Sequence, residues 1–133
     1  WFPEAARLVS LSGAQFIFYP TAIGYHHNDS NVMKRQIAAW QTIQKAHAIA
    51  NGVFIAAVNR VGREDDLTFW GQSFVSDPFG EIIAQADDKK SETLIVECDL
   101  LKIEQTRHEW PFLRDRRVDA YKKLSQIYHD PSS

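Results

Sequence analysis

Hydrophobic positions with helical spacing mark two long segments of the chain. Residues 1–12 place apolar side chains on one face, Pro3 suits the first turn of a helix, and Gly13 follows as a stop signal. Residues 30–50 keep three- and four-residue spacing from Met33 to Ala50, and Ser30 or Asn31 can cap the start. We therefore predict a helix over each of these two segments.

Short apolar runs with no helical spacing predict the strands. Residues 15–19 and 53–58 are nearly continuous in apolar character, which is typical of strands buried on both faces. The turn sequence Asp77-Pro78-Phe79-Gly80 separates 72–76 from 81–86 and predicts a hairpin. Further predicted elements are a strand over 93–97, a helix over 100–108 and a partly helical tail over 115–128.

The order of these elements is helix, strand, helix, four strands and helix, which predicts a layered α/β domain with a mixed sheet. Strands buried on both faces need cover on both faces, but two main helices cover only one face well. We infer that a partner covers the other face, or that part of the domain is missing.

Composition and charge narrow the function classes. The 133 residues suffice for one domain. The 15 basic and 17 acidic residues leave a net charge of −2, so the chain has no overall positive electrostatic field that would attract nucleic acid or an anionic membrane. No apolar run approaches the roughly 20 residues that span a bilayer. The first residue is Trp1 rather than Met, which favours a processed or truncated start, and the single cysteine, Cys98, fits a reducing compartment such as the cytoplasm.

Several short blocks follow one another along the chain, and their combination is more specific than any one of them. They are Trp1-Phe2-Pro3-Glu4, Tyr19-Pro20-Thr21-Ala22-Ile23-Gly24, Val58-Asn59-Arg60-Val61-Gly62, Trp70-Gly71-Gln72-Ser73-Phe74, Asp77-Pro78-Phe79-Gly80-Glu81 and Arg114-Asp115-Arg116-Arg117 before Tyr121. In this order the blocks resemble the nitrilase superfamily of carbon–nitrogen hydrolases, and most closely its N-carbamoylputrescine amidases. The resemblance covers nearly the whole chain.

The resemblance implies a fold and a missing catalytic centre. Such proteins have an αββα sandwich of nearly twice this length, so residues 1–133 would be the C-terminal half of one domain. Their Cys-Trp-Asp-x-Trp-Phe-Pro-Glu block holds the nucleophile, and this chain begins at its second Trp, Trp1. The Cys, Glu and Lys of the mechanism would all lie upstream, so no catalytic residue is assigned here, and the chemistry requires no cofactor or metal.

Residues after the predicted strands are the candidates for a substrate wall, because ligands of open α/β sheets lie beyond the carboxyl ends of strands. With the resemblance, these candidates are Thr21, Ala22, Ile23, Tyr25, Asn59, Arg60, Trp70 and Gly71. Arg60 can bind a substrate carboxylate through two hydrogen bonds or form a structural ion pair. Trp70 can line the pocket or the core, and residues 21–23 can form a plain turn.

Three other features have a simpler structural interpretation. Cys98 is followed by an acid, which does not activate a thiol, and free cysteines are usually buried. The side chains of the adjacent His26 and His27 are expected to point in different directions, and no carboxylate–His or Cys pattern completes a metal site. The basic block at 114–117 contains an acid and is expected to pair with buried acids, Glu4 among them, rather than with nucleic acid.

By resemblance, the intact protein would hydrolyse a linear C–N bond, N-carbamoylputrescine giving putrescine, CO2 and ammonia, as a cytoplasmic homo-oligomer of polyamine biosynthesis that needs its N-terminal half. The alternatives are a β-ureidopropionase-like or ω-amidase-like hydrolase, or a catalytically inactive fragment or scaffold. An acid is expected after Gly24 for the amine of putrescine, but Tyr25 stands there, and Asp29 is the candidate substitute.

Overall fold

The computed structural model describes residues 1–26 and 30–127, with the backbone alone at 30 and 31. The α-helices are α1 (Pro3–Leu11), α2 (Ser30–Asn51) and α3 (Leu101–Glu109), and two short 3-10 helices span Val118–Ala120 and Lys122–Ser125. The strands are β1 (Phe16–Thr21), β2 (Gly24–His26), β3 (Phe54–Asn59), β4 (Val61–Glu64), β5 (Leu67–Trp70), β6 (Phe74–Ser76) and β7 (Ile82–Gln85).

The main sheet has the strand order β1-β3-β6-β7 and is mixed, as predicted. β1 and β3 run parallel, with Phe16 opposite Phe54 and Thr21 opposite Asn59. β6 pairs with β3 antiparallel, and β7 completes the predicted hairpin around the turn at 77–80. Because β1 and β3 are parallel and in register, Thr21 and Asn59 end side by side at one edge of the sheet.

A second, three-stranded sheet with the order β2-β5-β4 was not predicted. Its strands are antiparallel and only three or four residues long, and β4 and β5 are joined through Asp65, which has a positive φ of 52°. The acidic run at 64–66 has no apolar alternation, and it forms the turn of the β4–β5 hairpin. This sheet brings Tyr25 and Trp70 towards the carboxyl ends of β1 and β3.

The core lies between α2 and the main sheet. Trp40 of α2 is fully buried and packs edge-on against Phe74 and Trp70, with ring centroids 5.4 and 6.3 Å apart. Ile23 and Tyr25 pack against the same cluster. Burying a large aromatic side chain contributes about 2–3 kcal/mol, so this cluster anchors both sheets to the long helix.

The face of the main sheet opposite α2 is open at Phe18 and Val58, although Phe54 and Ala56 on the same face of β3 are buried. Ile17 and Tyr19 of β1 point towards the core, whereas Phe18 between them is 66% exposed and Val58 of β3 is 47% exposed. The prediction that β1 is buried on both faces is therefore wrong for this chain, while β3 is buried except at Val58. Both α1 and α2 lie on one side, which leaves nothing in the described chain to cover Phe18.

The structure has no strand at 93–97, so that prediction is wrong. Leu94 and Val96 are half-buried and Ile95 between them is 95% exposed, which is the side-chain alternation of an extended chain. A strand also requires a ladder to a neighbour, and no described strand pairs with this segment. The helix predicted over 100–108 is α3, and the described part of the tail contains the two 3-10 helices.

The basic block at 114–117 does not pair with buried acids, contrary to expectation. Arg114 binds Asp115 and Arg117 binds Asp119, with shortest distances of 2.7 and 2.6 Å, and all four side chains are largely exposed. Glu4 is exposed and forms no ion pair within the described residues. An acid one or two residues away reaches each guanidinium more easily than Glu4 does, so the pairing is local.

Candidate functional site

The side chain of Asn59 connects three segments at the edge where β1 and β3 end. Its Oδ1 accepts a hydrogen bond from Ile23 N at 2.8 Å and shares the Thr21 hydroxyl proton with Val58 O, the two acceptors lying 3.1 and 3.0 Å from Thr21 Oγ1. Its Nδ2 donates to Ile23 O at 3.0 Å and to Gly71 O at 3.2 Å. Asn59 is only 7% exposed, so its amide holds the wall together with no hydrogen-bonding position left over.

The main chain of Asn59 is also fixed. Its N–H donates to Ser73 Oγ at 2.9 Å, and the Ser73 hydroxyl donates back to Asn59 O at 3.1 Å. Ser73 was absent from the sequence-predicted set, although it lies in the block at 70–74 that carries part of the resemblance. Its role depends on a reciprocal contact with a backbone segment, which no spacing rule reveals.

The backbone conformation at position 71 requires a glycine. Its φ is +58°, in the left-handed region, and a Cβ built on it would lie 2.9 Å from Asp87 O. Its N–H donates to Arg60 O at 3.0 Å, and its carbonyl accepts from Asn59. Gly71 therefore closes the wall beside Asn59 at a place where a side chain would displace the backbone at Asp87.

Arg60 already has two partners within the chain. Its Nη1 forms an ion pair with Glu64 Oε2, and its guanidinium carbon lies 4.2 Å from the centroid of the Phe69 ring. The side chains of Arg60 and Glu64 are about half exposed, so solvent screens the pair. The structural ion pair that the sequence offered as an alternative role for Arg60 is thus present.

The predicted wall residues divide between two cavities. Asn59, Arg60 and Gly71 line a cavity of about 310 Å³ with Lys90 and Glu92. Tyr25 and Trp70 line another, of about 210 Å³, with Gln72 and others. Ile23 packs on the core beside them, Thr21 is half-buried under Asn59, and Ala22 is exposed. The charged residues at 87–92 were not predicted as part of this region.

The surroundings of Cys98 and His26 are those of ordinary structural side chains. Burial raises the pKa of the Cys98 thiol, against a smaller lowering by Lys102, so the neutral thiol is favoured. His26 lies 3.4 Å from Asp66 on the surface, and His27 and Asp29 lie outside the described residues. In the described ranges no three His, Cys, Asp or Glu side chains cluster, and no helix is long and apolar enough to cross a membrane.

A pair formed by the half-buried Tyr19 of β1 and the buried His47 of α2 lies behind the wall. The Tyr19 hydroxyl and His47 Nδ1 are 3.1 Å apart, and burial lowers the pKa of His47 and raises that of Tyr19. Both shifts favour the neutral forms. The pair is consistent with the helix-packing role that the sequence indicated for His47, which lies next to the apolar stripe of α2.

The comparisons with known proteins identify the class. A family described as carbon-nitrogen hydrolase matches residues 1–108, and the chain belongs to this family. The chain is 46% identical over 132 residues to an N-carbamoylputrescine amidase of Oryza sativa subsp. japonica and 37% identical to a citrullinase of Francisella tularensis. These alignments cover 93% and 96% of the chain but only 43% and 46% of the relatives, so the chain spans less than half the length of either protein.

Solved structures show the same fold. A carbon-nitrogen hydrolase of Helicobacter pylori G27 superimposes with a TM-score of 0.93 and 49% identity, covering 97% of this chain and 47% of that chain. Nit3 of Saccharomyces cerevisiae, a member of branch 10 of the nitrilase superfamily, gives a TM-score of 0.73 at 27% identity over 87% of this chain and 40% of its own. The predicted α/β fold of a nitrilase-like protein with a mixed sheet is confirmed.

Proposed function

We propose that residues 1–133 are the C-terminal portion of a single carbon–nitrogen hydrolase domain, and that the intact protein hydrolyses N-carbamoylputrescine to putrescine, CO2 and ammonia. The observation that carries this proposal is the similarity, over 93% of the chain, to plant N-carbamoylputrescine amidases at 44–46% identity. The setting would be the cytoplasm and polyamine biosynthesis, with no metal or cofactor.

The chemistry would be supplied by a Cys, a Glu and a Lys upstream of this chain. A thiolate would attack the carbamoyl carbon, and one C–N bond would break as the Glu protonates the departing nitrogen. Water activated by the Glu would then hydrolyse the covalent intermediate, which frees the thiol, the second nitrogen product and CO2. The Lys with a backbone N–H would stabilise the oxyanion in both steps. By the resemblance, the nucleophile would stand just before α1, at the carboxyl end of a strand, where the Asn59 wall would face it.

The cations of the wall bear on the charge of the substrate. A carboxylate-bearing substrate needs a cation with free donors. Arg60 is paired with Glu64, and Lys90 lines the same cavity as the acids Asp87 and Glu92. The two cations of this cavity are thus matched by acids, which supports putrescine as the leaving group over an amino acid.

The alternatives of the same class are a β-ureidopropionase-like and an ω-amidase-like hydrolase. An ω-amidase of Mus musculus is 30% identical to the chain, and the citrullinase similarity points to a further carbamoyl substrate. A catalytically inactive fragment or scaffold is the alternative of a different class.

Assembly is part of the proposal. The exposed Phe18 and Val58 form an apolar face on the main sheet, which the N-terminal half of the domain would cover. Exposed apolar residues of the outer helices, such as Leu8 and Val9 of α1, suit contacts between subunits of a homo-oligomer. The small-molecule substrate would then meet a wall that is completed only in the intact protein.

The test is ammonia release by the intact protein from N-carbamoylputrescine and from N-carbamoyl-β-alanine. We expect a higher kcat/KM for N-carbamoylputrescine. In Glu64→Gln, which frees Arg60, the preference should shift towards N-carbamoyl-β-alanine by about tenfold, the value of one charged hydrogen bond. Asp66→Asn is the matched control on the same hairpin and should leave the ratio unchanged.

Preference of the wild-type protein for N-carbamoyl-β-alanine would reject the substrate assignment. No ammonia from either substrate or from simple ω-amides would favour the scaffold alternative. Ammonia release by a protein consisting of residues 1–133 alone would refute the upstream position of the nucleophile.

A further inference from the structure

A cavity of about 510 Å³ lies away from the Asn59 wall, between α1, α2 and the C-terminal tail. Its apolar side is formed by Ile49 and Phe112, together with the small side chains of α2. Its polar side is formed by Arg7, Arg116, Asp115 and Tyr121. The volume is that of a small-molecule site, and the lining combines an apolar wall with a few charged groups.

The two arginines in this cavity lack acceptors for much of their hydrogen-bonding capacity. Arg7 Nη1 is buried without a hydrogen-bond partner within the described residues. Arg116 uses only Nε, which donates to Leu113 O at 2.8 Å. Burial lowers the pKa of Arg7, and the positive charge of the neighbouring Arg116 lowers it further. Both side chains are half-buried, and a guanidinium group withdrawn from water ordinarily has an anionic partner.

The acids nearest to these arginines do not supply that partner. Asp115 accepts two hydrogen bonds from Arg114, at 2.7 and 3.2 Å, and its charge is compensated there. Glu4 lines an adjoining cavity of about 270 Å³ with Arg7 and Arg116 but forms no hydrogen bond or ion pair with either. The described part of the chain therefore leaves two cations facing an open space.

We propose that this cavity binds a small organic carboxylate, with the carboxylate between Arg7 and Arg116 and an apolar body against Ile49 and Phe112. A guanidinium group donates two parallel hydrogen bonds to a carboxylate, and two such groups supply four donors. The apolar wall selects against a bare inorganic anion. The site is separate from the Asn59 wall and independent of the proposed hydrolysis.

The test is calorimetric titration of the intact protein with benzoate, with benzyl alcohol as the neutral probe of the same shape. We expect benzoate to bind and benzyl alcohol not to bind. Arg7→Gln and Arg116→Gln should each weaken benzoate about tenfold, which is the loss of one charged hydrogen-bonding group. Arg117→Gln is the matched control, because Arg117 belongs to the same basic block, pairs with Asp119 and does not line the cavity.

The proposal would be overturned by no benzoate binding to a folded wild-type protein, by equal binding of the neutral probe, or by equal weakening in Arg117→Gln. Equal weakening would show a general effect of positive charge. Circular dichroism establishes that each variant is folded, and Arg7→Lys, which keeps the charge, should bind benzoate more tightly than Arg7→Gln. Absence of that order would also contradict the assignment.

Discussion

Replacement of Asn59 by Leu tests whether the wall depends on one side chain. The change keeps the approximate size of a buried residue and removes four hydrogen bonds, to Thr21, to both backbone groups of Ile23 and to Gly71. At about 1 kcal/mol for each hydrogen bond, the loss is about 4 kcal/mol of unfolding free energy. The backbone groups of Ile23 and Gly71 would also be left without these partners.

The matched control is Asn51→Leu at another buried asparagine. Its Nδ2 donates only to His47 O, at 2.9 Å, and its Oδ1 has no partner within the described residues. The same chemical change should therefore cost about 1 kcal/mol there. Urea unfolding of the intact protein, followed by the fluorescence of the buried Trp40 and Trp70, measures both variants.

The expected difference between the two variants is about 3 kcal/mol, by the same count of hydrogen bonds. The backbone of residues 71–73 should also lose protection from hydrogen exchange in Asn59→Leu alone. Costs within about 1 kcal/mol of each other would show that the wall does not depend on Asn59, because hydrogen-bond estimates scatter by about that amount.

Two further predictions concern His47 of α2, which contacts Tyr19 of β1, and Phe18 of β1. Burial holds the pKa of His47 below its ordinary value of about 6.5, so the unfolded chain binds more protons as pH falls below 6.5, and stability should fall there by at most about 1.4 kcal/mol per pH unit. His47→Gln should flatten this dependence in urea unfolding between pH 7 and 5, and an unchanged slope would contradict the assignment. If the N-terminal half covers the open face, Phe18→Ser should cost the intact protein about 3 kcal/mol or more, whereas Leu124→Ser, at the same 66% exposure but on the tail, should change stability by less than about 0.5 kcal/mol in thermal unfolding. Equally small effects would refute that cover.

Periodicity predicted the elements that are long or strongly apolar. α2 begins at Ser30 and β1 and β3 match the runs at 15–19 and 53–58, because these segments bury one continuous face. The second sheet escaped prediction because its strands are three or four residues long and one of them contains Arg63 and Glu64. Short strands gain their stability from neighbours, which a local pattern does not contain.

The closeness of Thr21 and Asn59 was predictable from the sequence, but the hydrogen bonds of the Asn59 side chain were not. The rule that ligands lie beyond the carboxyl ends of strands placed Thr21 and Asn59 together, and the structure puts them opposite each other. The partners of the Asn59 amide are mostly backbone atoms of Ile23 and Gly71, and backbone atoms leave no signal in a sequence. The Arg7 cavity depends on the path of the tail, which shows no clear periodicity.

Within the described chain, β1 is the outermost strand of the main sheet, so the backbone groups on its free side have no ladder partner. The same strand carries Phe18 on the open face and ends at Thr21 under Asn59. Anything that adds a strand or a sheet beside β1 therefore also acts on the Asn59 wall. With this wall lining the substrate site, as proposed, activity would report on correct assembly, because an unassembled chain has both an unpaired strand edge and an incomplete pocket.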